Sequence, residues 1–299
     1  MTPRGWRLIR IRGADGRAQL GAIAPDAPAQ VVPITGESVV EVLEAGDVAE
    51  RTAGANGAID ALDPETLALP DPWQLLLPFT PPEIWAAGVT YERSRDARLE
   101  ESKTEARDVY SLVYEAERPE LFLKDALGRR TVGPGGRIGV RSDSTWTVPE
   151  PELGLVLGGG GRLLGATIGN DVSSRDIEGA NPLYLPQAKV YAGACAVGPA
   201  VLVPDDWSAP FEIELRIRDG NGSVLFEGQT STARMKRSFE ELAEYVRRDN
   251  PLEPGTVLLT GTGLVPPDDF SLAPGHRVEI RIAGLGMLAN PVARAGDLL

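Results

Sequence analysis

Short runs of alternating apolar and polar residues dominate the start of the chain. Residues 6–11 alternate, Asp15-Gly16 is a turn signal, and residues 19–23 form a second apolar run, so the pattern predicts two short strands. Apolar positions at helical spacing follow and predict a helix from Ser38 to about Ala49. Together these elements indicate a small α+β unit.

A proline-rich connection follows this unit. Five prolines occur within residues 69–82, and such a density forbids a regular helix. We therefore predict two domains, a small α+β domain over residues 1–78 and a β-rich domain over residues 79–299. The second is composed mostly of strands and Gly/Pro turns, with one helix predicted over residues 238–248 behind a Ser-x-x-Glu capping box.

The composition is that of an ordinary soluble globular protein, with 42% hydrophobic and 24% charged residues. A net charge of -13 argues against binding to nucleic acid or to an anionic membrane, because both ligands carry negative charge. Cys195 is the single cysteine, so no intrachain disulfide forms. We find no apolar run suited to a signal peptide or a membrane span, and we expect a cytoplasmic protein.

Residues 95–118 are charged and sparsely apolar, with enough helix formers for one or two surface helices. A solvated helical face is the simpler interpretation. The alternative is a mobile cover over a functional site, because the segment lies between two stretches that we assign to the site below.

Three carboxylates are the most informative feature for chemistry. Glu150 and Glu152 are two residues apart, so their side chains share one face if the segment is a strand. Two apolar runs around a four-glycine turn follow and predict a hairpin that returns to the level of Glu150 just before Asp171. The three carboxylates then converge at one end of this hairpin.

Burying three like charges together is costly, and a bound Mg²⁺, Mn²⁺ or Ca²⁺ removes that cost. The alternative is that all three carboxylates face water at the hairpin end. A zinc-type site is excluded, because the chain has one cysteine and one histidine, His276. His276 lies in a Pro-Gly-His turn, where we expect an exposed residue, and this placement argues against a Ser-His-Asp triad.

These residues stand in a pattern that resembles the fumarylacetoacetate hydrolase superfamily, from about Trp85 to Pro291. The matching motifs are Glu150-Pro151-Glu152, Asn170-Asp171, Lys189 and Thr260-Gly261-Thr262. Within the superfamily, the chain most resembles the branch of 2-keto-3-deoxypentonate dehydratases, which are enzymes of oxidative arabinose and xylose breakdown. The stretches that carry this resemblance are residues 90–94, 119–124, 141–144, 174–179 and 181–189. The resemblance implies a mainly β or α+β fold, a mixed β-sandwich roll with a small α+β N-terminal domain.

The resemblance also implies Mg²⁺ held by Glu150, Glu152 and Asp171, with Lys189 and Thr262 contacting the substrate. Further candidates for substrate binding or for shaping the pocket are Thr90, Tyr91, Ser94, Lys124 and Arg175.

Two residues are the candidates for proton transfer. Lys189 is the candidate general base or the electrostatic partner of an enolate, because desolvation and a metal should lower its pKa. Glu178 either protonates the departing hydroxyl or orients Arg175 or Lys189. Arg175 itself is expected to orient a carboxylate, since a guanidinium does not titrate usefully.

The implied reaction is enolisation of a 2-keto-3-deoxypentonate and β-elimination of its C4 hydroxyl, giving 2,5-dioxopentanoate. Hydrolases and decarboxylases of the superfamily tend to carry a histidine after the first strand, whereas residues 90–95 contain none. An acylpyruvate or fumarylacetoacetate-type C–C hydrolase or an oxaloacetate decarboxylase is the alternative, and a silent sugar-acid-binding or assembly protein is a third hypothesis. This chain departs from the branch at Ala180, where the branch usually has Glu. A homodimer or homotetramer is expected.

Overall fold

The structure, a computed structural model, describes residues 2–53, 55, 57–91 and 112–299. The predicted substrate-binding residue Ser94 and residues 95–111 of the charged segment lie outside the described residues. No helix in the described ranges is long and apolar enough to cross a lipid bilayer.

The first nine strands are β1 (Gly5–Arg12), β2 (Ala18–Ile23), β3 (Val32–Ile34), β4 (Gln74–Leu75), β5 (Glu83–Gly88), β6 (Glu120–Ala126), β7 (Thr131–Val132), β8 (Ile138–Val140) and β9 (Thr147–Val148). The next nine are β10 (Pro151–Leu157), β11 (Leu163–Asp171), β12 (Ser173–Ser174), β13 (Cys195–Pro204), β14 (Glu212–Arg218), β15 (Val224–Ser231), β16 (Thr256–Leu259), β17 (Arg277–Ile282) and β18 (Gly286–Arg294). The α-helices with both ends in the described residues are α1 (Val39–Ala45), α2 (Val48–Ala53), α3 (Arg175–Ala180), α4 (Leu185–Lys189) and α5 (Phe239–Arg247).

The N-terminal strands are confirmed, and they pair as an antiparallel hairpin of β1 and β2. The single helix predicted from Ser38 to about Ala49 is wrong in its extent, because the structure has two short helices there. Ser38 caps α1 by accepting a hydrogen bond from the Glu41 N–H. Gly46, with a φ of 70°, ends α1, since its left-handed conformation closes the last turn and stops the helix.

Within the described residues, eleven strands form one mixed sheet in the order β3-β2-β1-β13-β11-β10-β16-β5-β6, with β4 beside β1 and β7 beside β13. β1 pairs antiparallel with β13, so the first strands extend the sheet that the later strands build. The division predicted between residues 78 and 79 therefore does not interrupt the sheet. Its status as a domain boundary stays a prediction.

A second sheet, with the strand order β15-β14-β17-β18-β8 in the part of the chain described, packs against the large one. Leu153 and Leu155 of β10 share a buried core with Ile213 and Leu215 of β14 and with Leu242 of α5. Every second residue of β10 enters this core, as the alternation of side chains along a strand requires. The predicted fold class, a mainly β, α+β sandwich, is confirmed.

The opposite face of the large sheet is covered by α1. Val156 of β10 lies in a second buried core with Leu8 of β1 and with Val39 and Val42 of α1. Glu152 has the same parity as Val156 along β10, so its side chain belongs to this face. The carboxylates are therefore outside the sandwich core.

The predicted late helix, α5, is confirmed. Ser238 caps its N-terminus, as Ser38 caps α1, by accepting a hydrogen bond from the Glu241 N–H at 3.1 Å. The predicted capping box is only half formed, because the Glu241 carboxylate accepts from Arg237 instead. Arg237 also donates to backbone carbonyls of residues 113–117, the described end of the charged segment. That end is thus held against the turn before α5.

Candidate active site

Five strand ends meet at one edge of the large sheet and bring the candidate residues together. β5 and β16 are parallel and end there, whereas β6 and β10 run antiparallel to them and begin there. β11 pairs with β10 and ends at the same level. Residues just after or at these ends are therefore neighbours, although they are far apart in the sequence.

The predicted hairpin is confirmed and explains the convergence of the carboxylates. Glu152 lies opposite Gly169 in the pairing of β10 and β11, and the Asp171 N–H donates to the Glu150 carbonyl at 3.0 Å. Because side chains alternate, Glu150, Glu152 and Asp171 all point to one face. One ligand atom from each lies within 4.8 Å of the others.

Burial decides between the two interpretations of these carboxylates. Glu150 is 4% exposed, and Glu152 and Asp171 are each 1% exposed, so the alternative in which all three face water is wrong. Burial raises the pKa of Glu152 well above its usual range, and the charges of Asp171 and Glu150 raise it further. The site therefore resists full ionisation unless positive charge is supplied.

Lys189, at the end of α4, lies among the carboxylates. Its Nζ donates to Glu150 Oε2 at 2.8 Å, to Asp171 Oδ2 at 3.0 Å and to Ser173 Oγ at 2.5 Å. The Nζ also lies 5.6 Å from the centre of the Phe122 ring. The predicted proximity of Lys189 to the carboxylates is thus present, and its part in catalysis stays a prediction.

Lys124 is placed behind the carboxylates. Its side chain is fully buried, and its Nζ donates to the carbonyls of Val172 at 3.0 Å and Lys189 at 2.5 Å and forms an ion pair with Asp171. Lys124 does not line the cavity that the described residues form. Because the Nζ already contacts these three acceptors, the geometry favours a Lys124 that holds Asp171 in place over a Lys124 that contacts a ligand directly.

Helix α3 supplies an arginine and a fourth carboxylate. Arg175, 1% exposed, pairs through Nη2 with Glu150 Oε1 at 2.8 Å. Glu178, one turn later on the same helix, is 2% exposed and lines the cavity with Arg175. Ala180 ends this helix, is exposed, and is not among the described residues that line the cavity.

The loop after β16 forms another wall. The Gly261 N–H donates to Glu152 Oε2 at 2.6 Å, and a φ of 90° at Gly261 is a conformation that glycine adopts readily. Thr90 supports this loop by donating to the Thr260 carbonyl at 2.6 Å. Thr262 lines the cavity, and its Oγ1 donates to the Leu264 carbonyl at 3.1 Å.

Tyr91 is buried beside the same loop. A side chain added at Gly263 would overlap the Tyr91 ring, so the two residues are packed together. Burial and the nearby charge of Glu152 raise the pKa of Tyr91. Thr90 and Tyr91 are not among the described residues that line the cavity, and their predicted substrate contacts remain predictions.

These walls border a small cavity. Its described lining residues are Ala87, Gly88, Val89, Glu120, Phe122, Glu150, Glu152, Asp171, Arg175, Glu178, Lys189, Gly261 and Thr262. Glu120 and Phe122 were not predicted to line the site. The period-two alternation in residues 119–124 could have indicated that their side chains share one face of a strand.

His276 is not among the described residues that line the cavity. It is half-buried, whereas we expected an exposed residue, and its Nδ1 accepts a hydrogen bond from the Ala273 N–H at 3.2 Å.

The donor set fits a hard divalent cation. Carboxylate oxygens are the ligands that Mg²⁺ prefers, and the triad offers three of them on one buried face. If all are ionised, the five carboxylates of the lining exceed its two cations, Arg175 and Lys189, by three charges. The ion pair of Lys124 with Asp171 offsets part of this excess, and a divalent cation would offset more.

Removing the metal should make stability depend on pH. In the metal-free folded protein, the pKa of Glu152 is raised above its value of 4.5 in the unfolded chain. Above pH 4.5 the folded protein therefore keeps a proton on Glu152 that the unfolded chain has lost. Because the folded state binds more protons, raising the pH favours unfolding. We expect Tm in EDTA to fall between pH 5 and pH 8, and to fall less with saturating Mg²⁺, because a bound cation favours the carboxylate. Scanning fluorimetry of both series measures the effect. Parallel curves with and without Mg²⁺ would contradict it.

Three comparisons place these features among known proteins. Residues 84–293 match the family of the fumarylacetoacetate (FAA) hydrolase C-terminal domain. A Haloferax volcanii protein named probable 2-keto-3-deoxyxylonate dehydratase is 52% identical over 217 residues, which cover 72% of this chain and 74% of that protein. The 2-dehydro-3-deoxy-D-arabinonate dehydratase of Saccharolobus solfataricus is 46% identical over 220 residues, 73% of this chain and 74% of that enzyme.

The structural likeness reaches beyond the region matched by the family. A solved structure of 2-keto-3-deoxy-D-arabinonate dehydratase complexed with magnesium and 2,5-dioxopentanoate aligns with a TM-score of 0.81 at 36% identity. The alignment covers 96% of this chain and 99% of the other, so it includes N-terminal strands.

Proposed function

Because the chain belongs to the fumarylacetoacetate hydrolase family, we propose that it is a Mg²⁺-dependent hydro-lyase that converts a 2-keto-3-deoxypentonate into 2,5-dioxopentanoate. The single observation that carries this proposal is the buried Lys189, which lines the cavity and contacts two of the three candidate metal ligands. The two dehydratase relatives and the product-bound neighbour support the choice of substrate class.

Glu150, Glu152 and Asp171 are the residues that would hold Mg²⁺, with Mn²⁺ or Ca²⁺ as alternatives. When bound, the cation supplies Lewis-acid polarisation of the keto acid, which makes its C3 proton more acidic. The Gly261 N–H fixes one oxygen of Glu152, and Arg175 and Lys189 fix the two oxygens of Glu150. These contacts hold the ligand atoms in place before the reaction begins.

The reaction removes one water molecule. The C3–H bond breaks first and its proton passes to Lys189. The C4–O bond then breaks, and the hydroxyl leaves as water with a proton from Glu178, or from Glu120, which lines the same cavity. One C5 proton and the proton of the C5 hydroxyl are then lost, and one proton returns to each of C3 and C4, so that the C5 alcohol becomes an aldehyde. No redox cofactor is required, because oxidation at C5 is balanced by reduction at C4.

The reaction is tested by incubating the purified protein with Mg²⁺ and either 2-keto-3-deoxy-xylonate or 2-keto-3-deoxy-arabinonate. The expected result is formation of 2,5-dioxopentanoate from at least one substrate, with loss of activity in EDTA and recovery on adding Mg²⁺. Acylpyruvates and oxaloacetate are assayed in parallel. Their consumption without formation of 2,5-dioxopentanoate would replace the proposal with a hydrolase or decarboxylase, and inertness towards all of them would favour a binding protein.

A closed homo-oligomer and a cytoplasmic location complete the proposal. The edge strand β6 exposes 41% of Leu123, and Leu127 just after it is 62% exposed, so apolar surface is available for self-association. Cys195, the single cysteine, is buried and suits a reducing compartment. Light scattering coupled to size exclusion, and fractionation of cells that express the protein, test these two statements.

A further inference from the structure

The turn from Met235 to Arg237, just before α5, contacts both chain segments that lead into the cavity. The Lys236 N–H donates to the Thr90 carbonyl at 3.0 Å, and Met235 forms an isolated antiparallel bridge with Tyr91. Thr90 in turn holds the Thr260 carbonyl, next to the glycine that donates to Glu152. One side of the turn is therefore tied to the cavity wall formed after β16.

On its other side, the turn is connected to residues 113–117 through Arg237. Arg237 is 7% exposed, and its guanidinium donates to the carbonyls of Val113 at 3.4 Å, Ala116 at 2.7 Å and Glu117 at 2.9 Å. A fourth hydrogen bond, of 2.5 Å, reaches Glu241 Oε1. Carbonyls at the end of a helical turn lack partners within the helix, and here the guanidinium satisfies several of them at once.

The held segment continues directly into the cavity. Pro119 is buried, Glu120 is the first residue of β6, and Glu120 and Phe122 line the cavity together with Gly261. A side chain at Gly88, on the neighbouring strand β5, would overlap the Glu120 carboxylate, so the space for Glu120 is closely defined. A shift at the start of β6 therefore displaces Glu120.

We propose that Arg237 is a positioning residue of the dehydratase, because its bonds to residues 113–117 fix where β6 begins and hence where the Glu120 carboxylate lies. The inference rests on the proposed function. Lysine cannot replace this arginine fully, since its donors radiate from one atom, whereas the planar guanidinium spans several separated acceptors. The residue lies outside the described lining of the cavity and acts through the backbone.

The test compares Arg237→Gln and Arg237→Lys with the matched control Arg234→Gln, which changes an exposed arginine of the same segment. We expect Arg237→Gln to lower kcat by about 10- to 100-fold, the cost of displacing a positioned group by about 1 Å. KM should change less than kcat, Arg237→Lys should recover part of the loss, and Arg234→Gln should behave as wild type. A loss of Tm with unchanged kcat would overturn the proposal.

Coupling to Glu120 separates positioning from a general loss of stability. Glu120→Gln alone should lower kcat, and the double variant Glu120→Gln/Arg237→Gln should be little slower than Glu120→Gln, because both changes remove one function. The proposal would be overturned if the two losses in kcat multiplied in the double variant, or if Glu120→Gln alone kept the kcat of the wild type.

Hydrogen exchange gives a readout that does not depend on turnover. Arg237→Gln should speed amide exchange in residues 112–122 and leave β10 unchanged, and equal rates in both proteins would count against the proposal. Wild-type protein without dehydratase activity would instead refute the proposed function, so the two failures are distinguishable.

Discussion

Replacing Lys189 with methionine is expected to lower kcat for dehydration by about 100- to 10,000-fold, the range contributed by a positioned acid or base. The Lys189 Nζ is the amine that touches both Glu150 and Asp171, and methionine keeps the length of the side chain without a proton acceptor. Mg²⁺ binding should persist or strengthen, because a cation next to two ligands has been removed. Steady-state kinetics and isothermal titration with Mg²⁺ measure the two effects.

Lys189→Arg is the matched variant. It keeps the positive charge but cannot take up a proton, since a guanidinium stays protonated at any working pH. If Lys189 acts as the base, Lys189→Arg should be as slow as Lys189→Met. Recovery of activity in Lys189→Arg would assign an electrostatic role instead, and a Lys189→Met variant within tenfold of wild type would remove Lys189 from the mechanism altogether.

Replacing Glu152 with glutamine is expected to separate stability from function. The amide is nearly the same size, and its oxygen can still accept the hydrogen bond from Gly261. One buried like charge disappears, so the Tm of the metal-free protein should rise and its fall between pH 5 and pH 8 should flatten. Mg²⁺ affinity should drop by roughly 100-fold or more, because changing a residue that only supports a ligand already costs up to that factor.

Glu150→Gln is the contrasting variant. Glu150 is paired with both Arg175 and Lys189, so removal of its charge leaves two buried cations without this partner and should lower Tm. Glu152→Gln and Glu150→Gln should thus move Tm in opposite directions while both impair Mg²⁺ binding. Titration calorimetry and fluorimetry in EDTA test this. A Glu152→Gln variant that binds Mg²⁺ normally would exclude Glu152 as a ligand.

The clustering of Glu150, Glu152 and Asp171 could be predicted from sequence because its geometry depends on one local hairpin. Alternation puts Glu150 and Glu152 on one face, and a hairpin around a glycine turn brings Asp171 beside them. The same reasoning placed the helix α5 and its Ser238 cap. It failed at the helix after Ser38, where Gly46 was a stop signal present in the sequence.

The position of Lys124 could not be predicted in this way. Ile84 pairs with Asp125 and Trp85 pairs with Leu123, so Lys124 is the extra residue where the register of β5 and β6 shifts. Such a bulge redirects a side chain in a manner that depends on the partner strand. The supporting bond from Thr90 to the Thr260 carbonyl spans 170 positions and likewise depends on the complete sheet.

The pairing of β1 with β13 limits how this chain can be shortened. The region that matches the family starts at residue 84, which suggests a convenient minimal fragment. A cut there would remove β1 and leave the long strand β13 with a row of unsatisfied backbone groups, and it would strip Leu8 and the helix α1 from the core shared with Val156. An exposed edge of that length is a template for aggregation. The region that matches the family is therefore smaller than the unit in which the sheet and its cores are complete.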